Sequence, residues 1–311
     1  MGTLYLGSQK VCPVVVETVS VPQTKYGVSI NDFLGDTDAN GKLSAPSTSF
    51  SVDFSGVEDL GNYALYYSYY YNTNLSSVNF SDLTTISGDY AAHNAFTQTN
   101  MSTADLSSLE TVSGSNACVN MYYYAKVVTA NLSKLKTVSG ASGCAYMFQV
   151  STNAQAYMTS VDLSSLETVS GASGCAYMLS GQANIAATFN SLPKLKTISG
   201  SSGMSTFLQG ISGQNGNITS FSFPLLDAIT GNSAMSNFFR YRKALQHIYF
   251  NAVKTTSFGS YKNQLNGIVS GITGCTLHFP SNMSTVISGL TGYPNFSGTS
   301  TTILFDLPAT S

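Results

Sequence analysis

The chain contains little charge and no tryptophan. Asp, Glu, Lys and Arg make up 9% of its 311 residues, whereas about 25% is usual for a soluble domain. With a formal net charge of -2, the sequence offers no basic surface to nucleic acid or to an anionic membrane. Its three histidines are scattered and share no repeat position, so we predict no cofactor, no metal and no histidine-based catalytic site.

Long apolar runs are absent as well. No segment reaches the roughly 18 consecutive apolar residues of a membrane-spanning helix, so we expect no membrane insertion. Residues 1–7 include neither a basic region nor a long apolar stretch, and we therefore expect no secretory signal there. The five cysteines are an odd number, widely spaced and without a Cys-x-x-Cys pair, which argues against a disulfide framework and against a zinc site.

An internal repeat is the most informative feature of the chain. Residues 104–114 read ADLSSLETVSG, and close copies begin at positions 78, 130 and 161. The third position of each copy is a large apolar residue: Phe54, Phe80, Leu106, Leu132, Leu163, Leu192, Phe223 and Phe250. The copies vary in length, because Leu106 and Leu132 are 26 residues apart whereas Leu132 and Leu163 are 31 apart.

Each copy predicts one coil of a solenoid. Residues 161–164 alternate between apolar and polar types, which is typical of a half-buried strand. Gly171 at the end of this copy suits a chain reversal, and residues 173–178 suit a short helix or 3₁₀ turn. Because one such unit cannot bury its own apolar side, neighbouring units must stack.

We therefore predict an α/β solenoid, a leucine-rich-repeat-like stack of about eight irregular coils. The coils are expected to occupy residues 48–265. Residues 1–47 lie outside the repeat and are expected to form an N-terminal attachment or capping segment. Residues 266–311 are expected to form a C-terminal cap, since a bare terminal repeat would expose its core.

The repeat over about residues 50–265 resembles the BspA-type leucine-rich repeats of bacterial surface proteins. Its units are longer than is usual in that family, and an Ala/Cys-x-x-Met anchor replaces the usual Ala-Phe. Residues 275–282 and 302–308 are similar to the closing segment of such proteins from gut Firmicutes and their phages. Residues 4–11 are similar to the opening of phage tail-associated proteins. The resemblance implies a surface protein, bacterial or phage-encoded, that is located on the cell surface or on the virion.

Crowded tyrosines are the first candidate for a binding site. Three consecutive tyrosines cannot all be buried on one face, and tyrosine with Ser, Gly and Asn is the composition of antibody paratopes. The predicted ligand-binding tyrosines are Tyr66, Tyr67, Tyr69, Tyr70, Tyr71, Tyr122, Tyr123 and Tyr124. The alternative interpretation is that these rings cover an apolar flank and expose only their hydroxyl groups.

A column of polar residues at the second strand position is another candidate. Asp105, Asn131 and Asp162 belong to this column and are included in the predicted ligand-binding set. A structural ladder or a solvated face would produce the same pattern. Because coils stack about 4.8 Å apart, alternate Asp residues would lie about 10 Å apart, near the upper limit of the carboxylate separation in inverting glycosidases.

Two other motifs have simpler interpretations. Cys118, Cys144 and Cys175 occupy equivalent repeat positions, which favours a column of small buried thiols. Residues 36–41, DTDANG, match the first half of a calcium loop, but Ser47 stands where the bidentate Glu is needed. We interpret this segment as an Asx-rich turn, with calcium binding as the alternative.

The leading hypothesis is a non-enzymatic recognition module, an adhesin or receptor-binding protein. It would present a surface rich in Tyr, Ser and Asn to a glycan or protein on a cell. The first alternative is a polysaccharide depolymerase that uses Asp105 and Asp162. The second is a structural spacer in a phage tail or surface assembly, with residues 1–47 binding an assembly partner.

Overall fold

The computed structural model describes residues 18–20, 49–151 and 156–310, and it describes side chains in the last two ranges. Within these ranges the chain winds into a parallel β-solenoid of about nine coils, which confirms the solenoid that the repeat predicts. The possible calcium loop and Cys12 lie outside the described residues.

In most coils, two sides are short parallel strands. In chain order the strands are β1 (Thr18–Ser20), β2 (Phe50–Asp53), β3 (Asp59–Leu60), β4 (Leu75–Asn79), β5 (Thr85–Ile86), β6 (Thr103–Asp105), β7 (Thr111–Val112), β8 (Thr129–Asn131), β9 (Thr137–Val138), β10 (Ser160–Asp162), β11 (Thr168–Val169), β12 (Thr197–Ile198), β13 (Ser220–Phe223), β14 (Ala228–Ile229), β15 (His247–Phe250), β16 (Thr276–Pro280) and β17 (Thr302–Leu307). The first side carries three sheets, β1-β2-β4, β6-β8-β10 and β13-β15-β16-β17. The second side carries one seven-stranded sheet from β3 to β14.

The repeat positions stay in register through the stack. On the first side, Ala104 pairs with Ala130, which pairs with Val161. On the second side, Val138 pairs with Val112 and with Val169. The same repeat position therefore forms a continuous column of side chains along the solenoid axis.

The third side of each coil is a chain of tight turns, which we call the turn ribbon. In the first coil, the N–H groups of Tyr63 and Leu65 donate to the carbonyls of Asp89 and Ala91 in the next coil. The N–H groups of Ala64 and Tyr66 donate instead to carbonyls three residues earlier in the same coil. Along the ribbon, hydrogen bonds to the next coil thus alternate with hydrogen bonds within the same coil.

The turn ribbon replaces the short helix or 3₁₀ turn that we expected on this side. Every fourth ribbon residue has a left-handed backbone, with φ of 57° at Tyr63 and 55° at Tyr67, and an α-helix does not include such residues. A helix would direct its N–H groups to its own carbonyls. The ribbon instead continues the bonding between coils, so the backbone of the third side is also paired across the stack.

The core consists of apolar columns between the three sides. Leu106, Leu132 and Leu163 are at most 1% exposed, as the repeat predicts. Phe223 and Phe250 stack with ring centroids 5.2 Å apart. Further inward-facing residues from the ribbon are the methionines Met121, Met147, Met178, Met204 and Met235.

A column of glycines marks the corner between the second side and the turn ribbon. Its members are Gly88, Gly114, Gly140, Gly171, Gly200 and Gly231. A Cβ atom at Gly140 would lie less than 3.0 Å from the carbonyl oxygen of Gly114, a separation that real Cβ atoms essentially never show. The close approach of successive coils at this corner therefore requires glycine.

The segment 266–311 contains β16, then the short helix α1 (Ser284–Ser288), then β17 at the edge of its sheet. Outward residues alternate with half-buried ones along β17. No helix in the described ranges is long and apolar enough to cross a membrane.

Candidate functional site

The turn ribbon places a group of aromatic side chains on the surface of three successive coils. We call this group the tyrosine patch, and its members are Tyr63, Tyr66, Tyr67, Tyr70, Tyr71, Tyr90, His93, Tyr123 and Tyr124. Tyr63 and Tyr71 are the most exposed of them, at 46% and 42%. The others are half-buried.

Inward and outward residues of the ribbon alternate in pairs. Ala64 and Leu65 are buried, whereas Tyr66 and Tyr67 are partly exposed. The next two residues are again buried, and the two after them are again on the surface. This period of four residues decides which tyrosines of a consecutive run can contact a ligand.

Tyr69 and Tyr122 fall on inward positions and are each 2% exposed. The ring of Tyr69 stacks on Phe96 at 5.6 Å, and the ring of Tyr122 stacks on Phe148 at 5.3 Å. Both side chains are part of the core. We therefore remove these two residues from the predicted ligand-binding set, while the other six predicted tyrosines lie on the surface.

The rings of the patch pack against one another. Tyr63 and Tyr90 are parallel, with centroids 5.4 Å apart and planes inclined by 2°. Tyr66 meets Tyr67 edge to face at 4.7 Å. Such contacts hold aromatic side chains in fixed positions, so little side-chain freedom is left to lose when a ligand binds.

The patch is continuous over the middle coil. Asn94 and Thr97 face outward, yet they are only 6% and 1% exposed. The Thr97 hydroxyl donates to the carbonyl of Asn120 at 2.8 Å, and the Gln98 side-chain amide donates to the Tyr71 hydroxyl at 2.8 Å. These bonds join the middle coil to the backbone of the third coil and to Tyr71 of the first.

Burial favours the neutral forms of four ionisable groups of the patch, Tyr66, Tyr70, His93 and Tyr123. Burial raises the pKa of Tyr66. Burial, together with hydrogen bonds to the next tyrosine, raises the pKa of Tyr70 and of Tyr123 to about 12. Burial also lowers the pKa of His93 below its ordinary value, so its imidazole is uncharged.

Tyr63 was not among the predicted site residues, and neither were Tyr90 and His93. Both lie 27 positions after a tyrosine of the first coil, Tyr63 and Tyr66 respectively, and His93 stacks on Tyr66 at 5.5 Å. The repeat alignment could therefore have identified them. A lone histidine and a lone tyrosine outside the crowded segments gave no compositional signal.

The polar column of the first side is structural in its local geometry. Asp105 pairs in register with Asn131, which pairs with Asp162. The side-chain oxygen Oδ1 of each accepts the backbone N–H two residues later, at 3.1, 3.1 and 2.9 Å. These bonds are Asx turns that close the corner after the strand. The column thus has a structural role at these corners, and ligand binding by its three predicted members stays a prediction.

The central cysteines form the column that their spacing predicts. Cys118, Cys144 and Cys175 are fully buried and free, as is Cys275. A hydrogen bond with Cys144, together with burial, raises the pKa of Cys118 and of Cys175. Within the described residues, no three His, Cys, Asp or Glu side chains come together as a metal-binding group.

We expect these four thiols to be unreactive in the folded protein, because a thiolate must be exposed to attack a thiol reagent. In a Cys12→Ser variant, an Ellman-type reagent should label fewer than about 0.1 thiols per chain over an hour in native buffer. All four remaining thiols should react promptly in denaturant. Fast labelling of the native variant would show that the cysteine column opens to solvent.

A histidine row crosses the last strands of the first side. His278 on β16 is 7% exposed, and its Nδ1 lies 2.9 Å from a carboxylate oxygen of Asp306 on β17. Its Nε2 lies 3.1 Å from Nδ1 of His247 on β15, and Tyr249 stacks on its ring at 4.4 Å. These contacts connect the side chains of β15, β16 and β17 and so help to hold β17 on the sheet.

Comparisons with known proteins add two solved structures. The pneumococcal vaccine antigen PcpA is 14% identical, with a TM-score of 0.25, and the match covers 85% of this chain and 70% of that one. A leucine-rich cell surface protein from Faecalibacterium prausnitzii is 13% identical, with a TM-score of 0.18, and the match covers 94% and 88%. No protein-family model and no curated protein matches the chain. The fold assignment therefore depends on the strand register described above.

Proposed function

We propose that this protein is a non-enzymatic recognition module whose tyrosine patch binds a glycan or protein on a cell surface. The observation that supports this proposal is the patch itself: nine side chains on three coils, eight of them tyrosines. Tyrosine provides a large, rigid contact area with an apolar face and a hydroxyl group. The solenoid supplies a stiff support for this surface.

The proposed setting is extracellular, on a bacterial cell surface or on a virion. An adhesin or receptor-binding protein needs a stable surface more than a cleft. The packed rings of the tyrosine patch form such a surface. The assembly partner of residues 1–47 remains a prediction from the sequence.

The test is the binding of labelled protein to a panel of intact gut bacteria. A Tyr66→Ser/Tyr67→Ser/Tyr70→Ser variant should bind at least about tenfold more weakly, because aromatic anchors carry much of the energy of such contacts. The matched control is Tyr261→Ser/Tyr157→Ser, which removes two exposed tyrosines, 51% and 37% accessible, that lie outside the patch.

Both variants must first show the unfolding temperature and circular dichroism of the parent protein. If the patch variant and the control bind cells as the parent does, the tyrosine patch is not the binding site. If the parent binds no cell in the panel, the recognition function itself is contradicted, and the structural-spacer hypothesis becomes the better explanation.

A further inference from the structure

We propose that the tyrosine patch binds an uncharged glycan, a hydroxyl-rich sugar chain without sialic acid, sulfate or phosphate groups. This inference rests on the proposed recognition function and narrows its ligand to one chemical class. Three properties of the patch support it: the absence of charged side chains, the type of its hydrogen-bonding groups, and its size.

No Asp, Glu, Lys or Arg occurs in the three ribbon segments that carry the patch, residues 62–73, 90–101 and 115–125. The nearest charged residues in the sequence are Asp89 and Lys126, one at each end of the ribbon. The Asp89 carboxylate already accepts the backbone N–H of Ser115 at 2.7 Å. A charged ligand on the patch would lose hydration without gaining a counter-charge, which is unfavourable.

Burial favours the neutral form of three ionisable groups of the patch. It lowers the pKa of His93, which favours the uncharged imidazole at neutral pH. Burial, together with hydrogen bonds to the next tyrosine, raises the pKa values of Tyr70 and Tyr123 to about 12, so these two phenol groups remain protonated in mildly alkaline buffer. Binding through these three groups should therefore change little from about pH 7 to about pH 9.

The polar groups that remain are hydroxyls and amides. Phenol hydroxyls donate and accept hydrogen bonds, and the side-chain amides of Gln98 and Asn120 do the same. Sugar hydroxyls have this same double capacity. The exposed parts of the Tyr63 and Tyr71 rings provide apolar area for the C–H faces of a sugar.

Size separates a glycan from a protein partner. Three coils stacked at about 4.8 Å cover roughly 15 Å along the solenoid axis. A stable protein interface takes about 20–30 residues from each partner and has a polar rim. Nine side chains, none of them Asp, Glu, Lys or Arg, are few for such an interface and sufficient for a short oligosaccharide.

The experiment uses the full chain and cells that bind it. The cells are treated with periodate, which cleaves sugar rings, or with protease, and binding is measured from about 50 mM to about 500 mM NaCl. A printed array of matched oligosaccharides, each in neutral and in sialylated or sulfated form, is probed in parallel. The Tyr261→Ser/Tyr157→Ser variant serves as the control in each arm.

We expect periodate to abolish binding and protease to leave it, and the array signal to favour the neutral member of each pair by at least about tenfold. Salt should change the affinity by less than about twofold, since only charge interactions are screened. Binding that is lost with protease but survives periodate would overturn the glycan inference and leave the recognition function standing. Preference for sialylated or sulfated chains would overturn it as well. A parent protein that binds no cell and no array spot contradicts both proposals.

Discussion

Replacing Gly140 with alanine is expected to destabilise the solenoid strongly, because a Cβ atom at this corner position has no room. The added Cβ would overlap the carbonyl oxygen of Gly114, which is backbone and cannot rotate away. Two coils would have to separate, breaking the bonds by which the N–H groups of Ser139 and Gly140 donate to the Val112 carbonyl. We expect a loss of about 3 kcal/mol or more in the free energy of unfolding, measured by denaturant titration followed by circular dichroism.

Gly289→Ala is the matched control for this substitution. Gly289 has a φ of -84°, and its nearest atom to an added Cβ would be the Val286 carbonyl oxygen at 3.4 Å, an ordinary contact. The free energy of unfolding of the Gly289→Ala variant should differ from the parent's by less than about 1 kcal/mol. Equal stability of the Gly140→Ala and Gly289→Ala variants would contradict the close stacking of coils at the glycine corner.

Arg242→Ala is also expected to cause a large loss in the free energy of unfolding. Arg242 is 1% exposed, and its Nε and Nη2 donate to the carbonyls of Leu208 and Gln182 at 2.7 and 2.9 Å. These acceptors are 34 and 60 residues away in the sequence, so one side chain joins three coils. Alanine would leave two buried carbonyls unpaired and open a cavity, at a combined cost of about 3 kcal/mol.

Arg242→Met separates the two contributions. Methionine fills most of the volume of the arginine side chain but offers no hydrogen-bond donor. The loss in the free energy of unfolding should therefore be smaller than for alanine and still measurable. The Nη1 atom of Arg242 has no hydrogen-bond partner in the described part of the chain, and burial lowers the pKa of the guanidinium to about 10. If both variants unfold at the parent's denaturant midpoint, the arginine does not hold the coils together.

The strands and their columns could be predicted from the sequence because they repeat. Leu132 and Leu163 mark the same position in two coils of different length, and Val138 and Val169 follow each at the same distance. Alternation of apolar and polar residues then gives the strand, and stacking gives the buried column. The thiol column followed by the same logic, since Cys144 and Cys175 share one repeat position.

The turn ribbon could not be predicted in the same way. A left-handed residue is usually sought at glycine, but here tyrosine, serine and asparagine occupy such positions, as at Tyr146, Ser142 and Asn120. These residues adopt the conformation because hydrogen bonds to the next coil hold them there. That constraint comes from stacking and leaves no local signature.

The predicted site includes the buried residues Tyr69 and Tyr122 because the sequence does not reveal the geometry of the turn ribbon. Without the period of four, Tyr69 and Tyr122 are indistinguishable from their exposed neighbours. The inward position of Arg242 also cannot be predicted without the ribbon geometry, since arginine is rarely buried without a carboxylate partner. By contrast, crowding alone is enough to predict that some tyrosines of each run are exposed, although it does not show which ones.

The binding surface can be located by hydroxyl-radical footprinting of the unmodified protein, read by mass spectrometry. The free protein is compared with protein bound to cells or to a glycan identified on the array. Binding should reduce the labelling of Tyr66, Tyr67 and Tyr70 and leave that of Tyr261 unchanged, and the buried Tyr69 should be labelled little in either state. Protection elsewhere, with the tyrosine patch still labelled in the bound protein, would contradict the claim that this surface is where the protein recognises its ligand.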